Sequence, residues 1–296
     1  MSQRAGREIE PQAVSPREVT FVGASGVTLS ADAWGDQAQP PVLLLPGGGQ
    51  TRHAWGGTAA ALASGGWYAV SLDLRGHGDS DWAGDGDYSL DAFAADLLAV
   101  AATFDQPPVV VGASLGGISA LVAQGESDHA AFAAIVLVDI APRMEKDGVE
   151  RIVAFMRSHL DGFTSLEEAA DAIAEYLPHR PRPKDMSGLG KNLRLGVDGR
   201  YHWHWDPEFV AGMRRPNGSK QPDRLLAAAA NLKLPALLVR GQMSEVISEE
   251  GAAEFLATVP HAKYVDVSNA GHMVAGDRND AFAKAVIDFL SQVRGK

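Results

Sequence analysis

Short apolar runs recur along the chain, separated by longer stretches in which apolar and polar residues alternate. The runs are Val42–Leu45, Tyr68–Leu72, Val109–Val111, Ile135–Val138, Ala236–Val239 and Tyr264–Val267. Val42–Leu45 is a continuous apolar run, which is typical of a strand that is buried on both faces of a parallel sheet. The other runs are mainly apolar, with Ser71 and Asp266 as polar members, and are expected to be similar short strands.

Stretches with helical periodicity lie between most of these runs, and they include residues 54–63, Ser89–Phe104 and Asp280–Val293. Ahead of them, residues 18–34 alternate between apolar and polar positions around a glycine turn, which predicts a hairpin. Strands that alternate with helices predict an α/β fold, in which helices cover both faces of a mostly parallel, twisted sheet.

The alternation lapses in the middle of the chain. Amphipathic helices are predicted there at Val149–Leu160 and Ser165–Leu177, and the second opens with the capping box Ser165 and Glu168. The expected organisation is a flexible tail at 1–17, a core formed by 18–140 and 231–296, and a helical lid at 141–230 inserted in that core.

Composition narrows the function classes. A net charge of −11 argues against nucleic acid or an anionic membrane as a partner. The chain has no cysteine, which excludes disulfides and thiolate metal sites. Its first residues lack the apolar segment of a signal peptide. We therefore expect a cytoplasmic protein that acts on a small molecule, and the sequence carries no signal for its oligomeric state.

The stretch Gly112–Gly116 interrupts a predicted strand with a serine that two glycines flank, and a helical pattern follows. A sharp strand-to-helix turn projects the Ser114 hydroxyl above the sheet and needs glycine where a Cβ would clash. The amide of Leu115 then lies at a helix N-terminus, where N–H groups lack partners. This pattern predicts a nucleophile beside an oxyanion donor.

A serine nucleophile needs a base, and the base needs a carboxylate that orients it. His272 follows the last predicted strand and is therefore expected at the same sheet edge as Ser114. Glu245, after the penultimate strand, is the favoured acid because the order Ser114, Glu245, His272 is that of α/β-hydrolases. Asp139, which ends the run Ile135–Val138, is the alternative.

Four motifs together resemble the α/β-hydrolase superfamily, in the lidded branch of bacterial esterases, epoxide hydrolases and haloperoxidase-like enzymes. They occupy residues 44–49, 73–80, 112–116 and 270–272. The resemblance implies that the Gly48 amide is the second oxyanion donor. Relatives usually carry histidine where this chain has Pro46, and their acid is more often aspartate. The serine at position 114 argues against epoxide-hydrolase or dehalogenase activity, which needs aspartate there.

The resemblance implies a serine hydrolase that cleaves a carboxylic ester or a lactone through an acyl-enzyme, without a cofactor. Carbon–carbon bond hydrolysis, cofactor-free perhydrolysis or a ligand receptor on the same fold are the alternatives. Trp203 and Trp205 are expected either to line an acyl pocket or only to pack the lid. His202, His204 and Asp206 have a spacing that metal ligands can have, but no fourth ligand is identifiable, so we expect no metal.

Overall fold

The computed structural model describes residues 15–178, 182, 186, 188–212, 221–274 and 279–294. A twisted eight-stranded sheet in the order β1-β2-β4-β3-β5-β6-β9-β10 forms its centre. Its strands are β1 (Arg17–Val22), β2 (Thr28–Trp34), β3 (Pro41–Leu45), β4 (Tyr68–Leu72), β5 (Val109–Ala113), β6 (Ala134–Val138), β9 (Ala236–Gly241) and β10 (Lys263–Val267). Strands β3 to β6, β9 and β10 run parallel, and β1 and β2 add an antiparallel edge.

Helices cover both faces of this sheet. They are α1 (Gly56–Ser64), α2 (Leu90–Ala101), α3 (Ser114–Gly125), α7 (Gln221–Ala230), α8 (Glu249–Thr258) and α9 (Asn279–Arg294). Strand β3 explains why both faces need cover: Leu43 and Leu45 belong to one apolar cluster, whereas Val42 and Leu44 belong to another on the opposite face. All four side chains are fully buried, as the unbroken apolar run predicts.

The sequence-based assignment of the fold is confirmed. Each predicted apolar run lies within a strand, and residues 18–34 contain the β1–β2 hairpin with Val22 opposite Thr28. Ser89 caps α2 by accepting a hydrogen bond from the Ala92 amide. In the described part of the chain, no helix is long and apolar enough to cross a membrane.

An insertion separates β6 from β9. It contains α4 (Lys146–Ser158), α5 (Leu166–Tyr176), β7 (Leu193–Leu195), β8 (Tyr201–Trp203) and α6 (Pro207–Gly212). Ser165 accepts from the Glu168 amide at 3.1 Å, as the capping box predicts. The small antiparallel sheet of β7 and β8 was not predicted, because three-residue strands leave too short a pattern.

Two boundaries of the expected domain scheme, the end of the tail and the end of the lid, fall near described elements. Helix α7 falls within the range 141–230 expected for the lid, yet it packs on α3 of the core. Residues 1–14 of the expected tail lie outside the described residues, and β1 begins at Arg17.

The contact of α3 with α7 depends on a glycine. A Cβ at Gly125 would collide with the backbone of Ala228, including its carbonyl oxygen. We expect Gly125→Ala to lower the free energy of unfolding by about 1–3 kcal/mol, because neither helix can move without disturbing the core. Urea denaturation followed by circular dichroism measures this effect.

Gly56→Ala is the matched control for that substitution. A Cβ at Gly56, the first residue of α1, would meet no atom within 4 Å. Its stability should stay the same or rise slightly, because alanine favours helix. Equal stability of the two variants would contradict the close packing of α3 on α7.

Candidate active site

A strained turn joins β5 to α3 at Ser114. The residue has a φ of 44°, in the left-handed region that non-glycine residues rarely adopt. A Cβ at Gly112 would lie 2.6 Å from Gly117 Cα, and one at Gly116 would lie 2.7 Å from the Pro46 carbonyl oxygen. The flanking glycines are therefore required by backbone contacts, and they leave Ser114 partly exposed above the sheet.

The neighbouring strand places an aspartate beside this turn. Ala113 and Val138 are paired in the β5–β6 register, so the next residues, Ser114 and Asp139, follow adjacent strand ends. Asp139 also has a positive φ, 50°, and its side chain is fully buried. Its Oδ1 accepts from the Gly241 amide at 2.9 Å, and its Oδ2 accepts from Ser244 Oγ at 2.5 Å.

His272 completes this set of contacts from the segment that follows β10. Its Nδ1 lies 2.7 Å from Asp139 Oδ2. Because an ionised carboxylate only accepts hydrogen bonds, Nδ1 carries the hydrogen and Nε2 keeps its lone pair. The ring is 18% exposed. An imidazole held in this way can accept a proton at Nε2, and the aspartate then stabilises the positive charge.

The favoured acid of the sequence analysis, Glu245, lies away from His272, whereas the alternative, Asp139, contacts it. Both Glu245 carboxylate oxygens lie 2.6 Å from Arg151 Nη1 on α4, and the glutamate side chain is 60% exposed. Arg151 also donates to the Tyr176 carbonyl at 3.0 Å. The segment after β9 directs Glu245 toward the insertion, whereas its Ser244 contacts Asp139.

The glycine segment after β3 lies against the Ser114 turn. A Cβ built on Gly47 would lie 3.3 Å from Ser114 Cβ, and one on Gly48 would lie 3.6 Å from Leu115 Cδ2. Among the hydrogen bonds of the described residues, none engages the amide of Gly48 or of Leu115. Both amides are thus near the serine and available to a ligand.

Gln50 links this segment to the His272 segment. The Gln50 amide donates to the Gly47 carbonyl at 3.1 Å and closes a four-residue turn around Gly48 and Gly49. Its side-chain Oε1 accepts from the Gly47 amide at 3.1 Å, and its Nε2 lies 2.8 Å from Met273 Sδ. A single side chain therefore ties the glycine turn to the neighbour of His272.

Two buried histidines hold Gly49, the third residue of that turn. The Gly49 amide donates to His77 Nε2 at 3.0 Å, and His204 Nε2 donates to the Gly49 carbonyl at 3.2 Å. His77 Nδ1 donates to the Arg75 carbonyl at 2.9 Å, and His204 Nδ1 accepts from the Gly78 amide at 2.8 Å. Each ring thus has one donor and one acceptor nitrogen, as a neutral imidazole has.

Burial keeps both rings neutral. Desolvation lowers the pKa of His77 to about 4 and that of His204 to about 3. The charge of His77, when present, would lower the pKa of His204 further, as would Arg194. Asp206 opposes the shift of His77, and Asp79 opposes that of His204. The loss of water around each ring lowers its pKa by more than the nearby carboxylate raises it.

The loop that carries His77 is itself held by buried ion pairs. Arg75 contacts both carboxylate oxygens of Asp96, at 2.6 and 2.7 Å. Asp73 pairs with Arg52 and accepts from the Asp79 amide at 3.0 Å. Burial raises the pKa of Asp73, and the hydrogen bonds and charge of Arg52 act against that rise.

The aromatic segment of the insertion packs against the glycine turn. Trp203 and Trp205 are buried, and their rings stack with centroids 4.7 Å apart. A Cβ on Gly49 would lie 3.3 Å from Trp205 Cζ3, so this ring lies directly over the turn. Trp203 packs edge-on against Phe163, deeper in the insertion.

The three polar residues of this segment face different partners. His202 Nε2 lies 2.9 Å from Asp198, and Tyr88 donates to Asp206 at 2.5 Å. His204 faces the backbone of Gly49 and Gly78, as described above. No group of three or more metal-ligating side chains converges within the described ranges.

A cavity of about 190 Å³ opens beside His272, between the core and the insertion. From the core it is lined by Gly271, His272, Met273, Met243, Glu245 and Val246. From the insertion it is lined by Gly148, Arg151, Ile152, Tyr176, Leu177 and Pro178. Its lining is mainly apolar, with the Arg151–Glu245 ion pair as its charged part.

Comparison with known proteins identifies the family and the fold. Residues 42–285 match the model of the alpha/beta hydrolase family. The chain belongs to that family. The sequence-based resemblance is confirmed at the level of the family and the fold, and the family together with the relatives described next shows a hydrolase.

Several relatives of this α/β-hydrolase cover most of its length. The esterase Rv0045c of Mycobacterium tuberculosis is 31% identical over 282 residues, which span 91% of this chain and 88% of that protein. The 3-hydroxybutyrate-oligomer hydrolase of Cupriavidus necator is 26% identical over 255 residues, 81% of this chain and 85% of that protein. A solved α/β hydrolase from Novosphingobium aromaticivorans superposes with a TM-score of 0.78 at 27% identity, covering 95% of this chain and 99% of that one.

Sequence reasoning missed Gln50, Ser244 and the structural part played by His77 and His204. His204 itself was noted only for a spacing that metal ligands can have. An imidazole between glycines, as at His77, is a usable signal for a buried backbone contact, but a single sequence does not say which backbone it meets.

The neutral histidines make stability depend on pH. In the unfolded chain each takes up a proton below a pKa of about 6.5, whereas the folded protein resists until about pH 4 or below. The unfolded state therefore binds more protons in this window, and the free energy of unfolding falls as the pH decreases from 6.5 to 4. Each histidine contributes a slope of about 1.4 kcal/mol per pH unit.

Removing one of the two rings tests this assignment. In urea titrations between pH 7 and 4.5, the free energy of unfolding of His204→Gln should depend less steeply on pH than that of wild type. The difference in slope should correspond to about one proton. An identical pH dependence of the two proteins would mean that His204 titrates normally in the folded state and is not buried as a neutral ring.

Proposed function

We propose that this α/β-hydrolase is a serine esterase that acts through an acyl-enzyme. Ser114 is the nucleophile, His272 the general base and then acid, and Asp139 the carboxylate that orients His272. The observation that carries the proposal is the 2.7 Å contact of His272 Nδ1 with the buried Asp139, at the strand end next to the Ser114 turn.

Acylation begins when His272 Nε2 takes the proton of the Ser114 hydroxyl and Oγ adds to the ester carbonyl carbon. The tetrahedral intermediate carries its negative charge on the former carbonyl oxygen. The imidazolium then gives its proton to the leaving alcohol, and the acyl group stays on Ser114. A water molecule activated by the same imidazole releases the acid and restores the serine.

Asp139 is suited to its part because its negative charge is buried and fully hydrogen-bonded. Gly241 and Ser244 donate to it in addition to His272, so the carboxylate neither rotates nor needs water. It fixes the tautomer of His272 and stabilises the imidazolium without itself taking up the proton.

The amides of Gly48 and Leu115 form the oxyanion hole in this proposal. Leu115 is the second residue of α3, where the unpaired N–H groups favour negative charge. Donors that are already in place cost no reorganisation when the oxyanion forms, and each is worth about 2.7–4 kcal/mol in comparable enzymes.

The mainly apolar cavity beside His272 favours an ester with an apolar acyl or alcohol part. Ile152, Leu177 and Val246 offer that part an apolar surface. The relatives named above, an esterase and a hydroxybutyrate-oligomer hydrolase, also support ester substrates. A lactone is the cyclic form of the same substrate class and needs no further group.

Ser114→Ala should remove the burst of p-nitrophenol from a p-nitrophenyl ester and lower kcat by about 10⁴-fold or more, because no other group can form the acyl-enzyme. A fluorophosphonate probe should label the wild type and not the variant. Ser64→Ala, which removes an exposed serine of α1, is the control and should behave as wild type. Turnover by Ser114→Ala at the wild-type rate would refute the nucleophile.

The acid is tested by a matched pair of carboxylate-to-amide substitutions. Asp139→Asn should lower kcat by about 10³- to 10⁴-fold, because an amide neither fixes the tautomer of His272 nor stabilises the imidazolium. Glu245→Gln should keep kcat within about threefold, because its carboxylate is bound to Arg151 at the cavity rim. The reverse order of these losses in steady-state kinetics would restore Glu245 as the acid.

A further inference from the structure

The glycine turn that carries Gly48 is closed by Gln50, whose amide donates to the Gly47 carbonyl at 3.1 Å and whose Oε1 accepts from the Gly47 amide at 3.1 Å. These two bonds act on Gly47 and do not reach the peptide groups of Gly49. Gly47, Gly48 and Gly49 are consecutive, and glycine has more backbone freedom than any other residue. Gly49 has a φ of 79° at the third position of a turn closed by Gly47 and Gln50, as in a type II turn. An oxyanion donor is effective only when its direction is fixed before reaction. Because Gln50 holds the Gly47 end of the turn, the Gly49 end is the part that needs contacts from outside the turn.

Two imidazoles supply such contacts on both sides of Gly49. His77 takes its N–H and His204 binds its C=O, so the peptide planes before and after Gly49 Cα are both fixed. The rings are packed against one another, with centroids 5.8 Å apart, and the His77 ring meets Phe209 at 4.6 Å. His77 comes from the loop after β4, whereas His204 comes from the insertion.

We propose that His77 and His204 are positioning residues for the oxyanion hole: by holding the Gly49 peptide groups, they fix the direction of the adjacent Gly48 amide. A consequence is that the insertion, through His204, is part of the catalytic apparatus and more than a cover over the substrate. This inference rests on the proposed serine esterase mechanism.

The hydrogen-bond pattern requires that both rings be neutral. His77 Nε2 and His204 Nδ1 each accept a backbone N–H, from Gly49 and Gly78, and a protonated nitrogen would place hydrogen against hydrogen. The surroundings meet this need, since both rings are buried. A ring that holds backbone groups on two sides must donate with one nitrogen and accept with the other, as a neutral imidazole does. Both nitrogens of each ring are engaged in this way, so neither histidine offers a nitrogen for proton transfer to the substrate.

His204→Phe tests the proposal because it keeps an aromatic ring and removes both hydrogen bonds. For a p-nitrophenyl ester, kcat should fall about 10- to 100-fold while KM changes by less than about threefold, since the lost contact acts on the transition state. His204→Gln, whose side-chain amide can still donate to the Gly49 carbonyl, should recover a large part of kcat.

A pair of inhibitors separates positioning from a general structural effect. A trifluoromethyl ketone forms a tetrahedral adduct with Ser114 Oγ whose oxyanion needs the hole, whereas the matching methyl ketone binds mainly as the intact carbonyl compound. In His204→Phe the Ki of the trifluoromethyl ketone should rise by the same factor as kcat falls. The Ki of the methyl ketone should stay within about threefold of wild type.

His202→Phe is the matched control, since it makes the same substitution two positions away in the same segment, where the ring is hydrogen-bonded to the exposed Asp198 and not to the glycine turn. His202→Phe should keep the wild-type kcat and the wild-type Ki for both ketones. His77→Phe provides a second route if His204→Phe does not fold, because it removes the acceptor of the Gly49 amide from the core side. It should lower kcat and weaken the trifluoromethyl ketone in the same way.

The outcomes distinguish this inference from the function on which it rests. Retained acylation in Ser114→Ala would remove the serine mechanism itself. If Ser114→Ala is inactive, unchanged kcat and Ki values in His204→Phe and His77→Phe would overturn the positioning proposal alone. An equal loss of affinity for both ketones would also overturn it, because it would show a distorted pocket and not a displaced oxyanion donor.

Discussion

The site depends on two strained residues at the ends of neighbouring parallel strands. Ser114 and Asp139 both have φ values in the left-handed region, at 44° and 50°. Such a conformation costs a non-glycine residue about 1–3 kcal/mol. The eight-stranded sheet and the helices packed on it hold both residues in place. The β5–β6 register sets the two residues side by side. The two strained turns therefore hold a hydroxyl and a carboxylate at the same edge of the sheet.

Around this edge, buried charged side chains are paired with oppositely charged groups or hydrogen-bond donors. Asp139 receives hydrogen bonds from Gly241, Ser244 and His272. Arg75 is paired with Asp96 in the loop that supports His77. A buried charge without such partners would cost several kcal/mol, so each loop that approaches the site is fixed by the need to satisfy these groups.

The insertion is joined to the core by more than apolar packing. His204 reaches the backbone of Gly49 and Gly78, Asp206 accepts from Tyr88, and the Trp205 ring lies over the glycine turn. On the other side of the site, Arg151 of α4 meets Glu245 of the core. These contacts connect the shape of the cavity beside His272 to the conformation of the loops that would act on a substrate.

The sequence alone determined the sheet, its hairpin edge and the Ser114 turn. Those features follow from local periodicity and from glycines at positions where a Cβ would clash with backbone atoms. Both signals can be recognised in a single sequence. The sequence also predicted that Asp139, Glu245 and His272 follow the ends of parallel strands. Only the tertiary structure decided which carboxylate faces the histidine, because that depends on the strand register and on Arg151, far away in the sequence. For the same reason, the sequence could not show that His204 contacts Gly49. The two backbone partners of His204, Gly78 and Gly49, lie 126 and 155 residues away in the chain, and no local pattern encodes a contact over that distance.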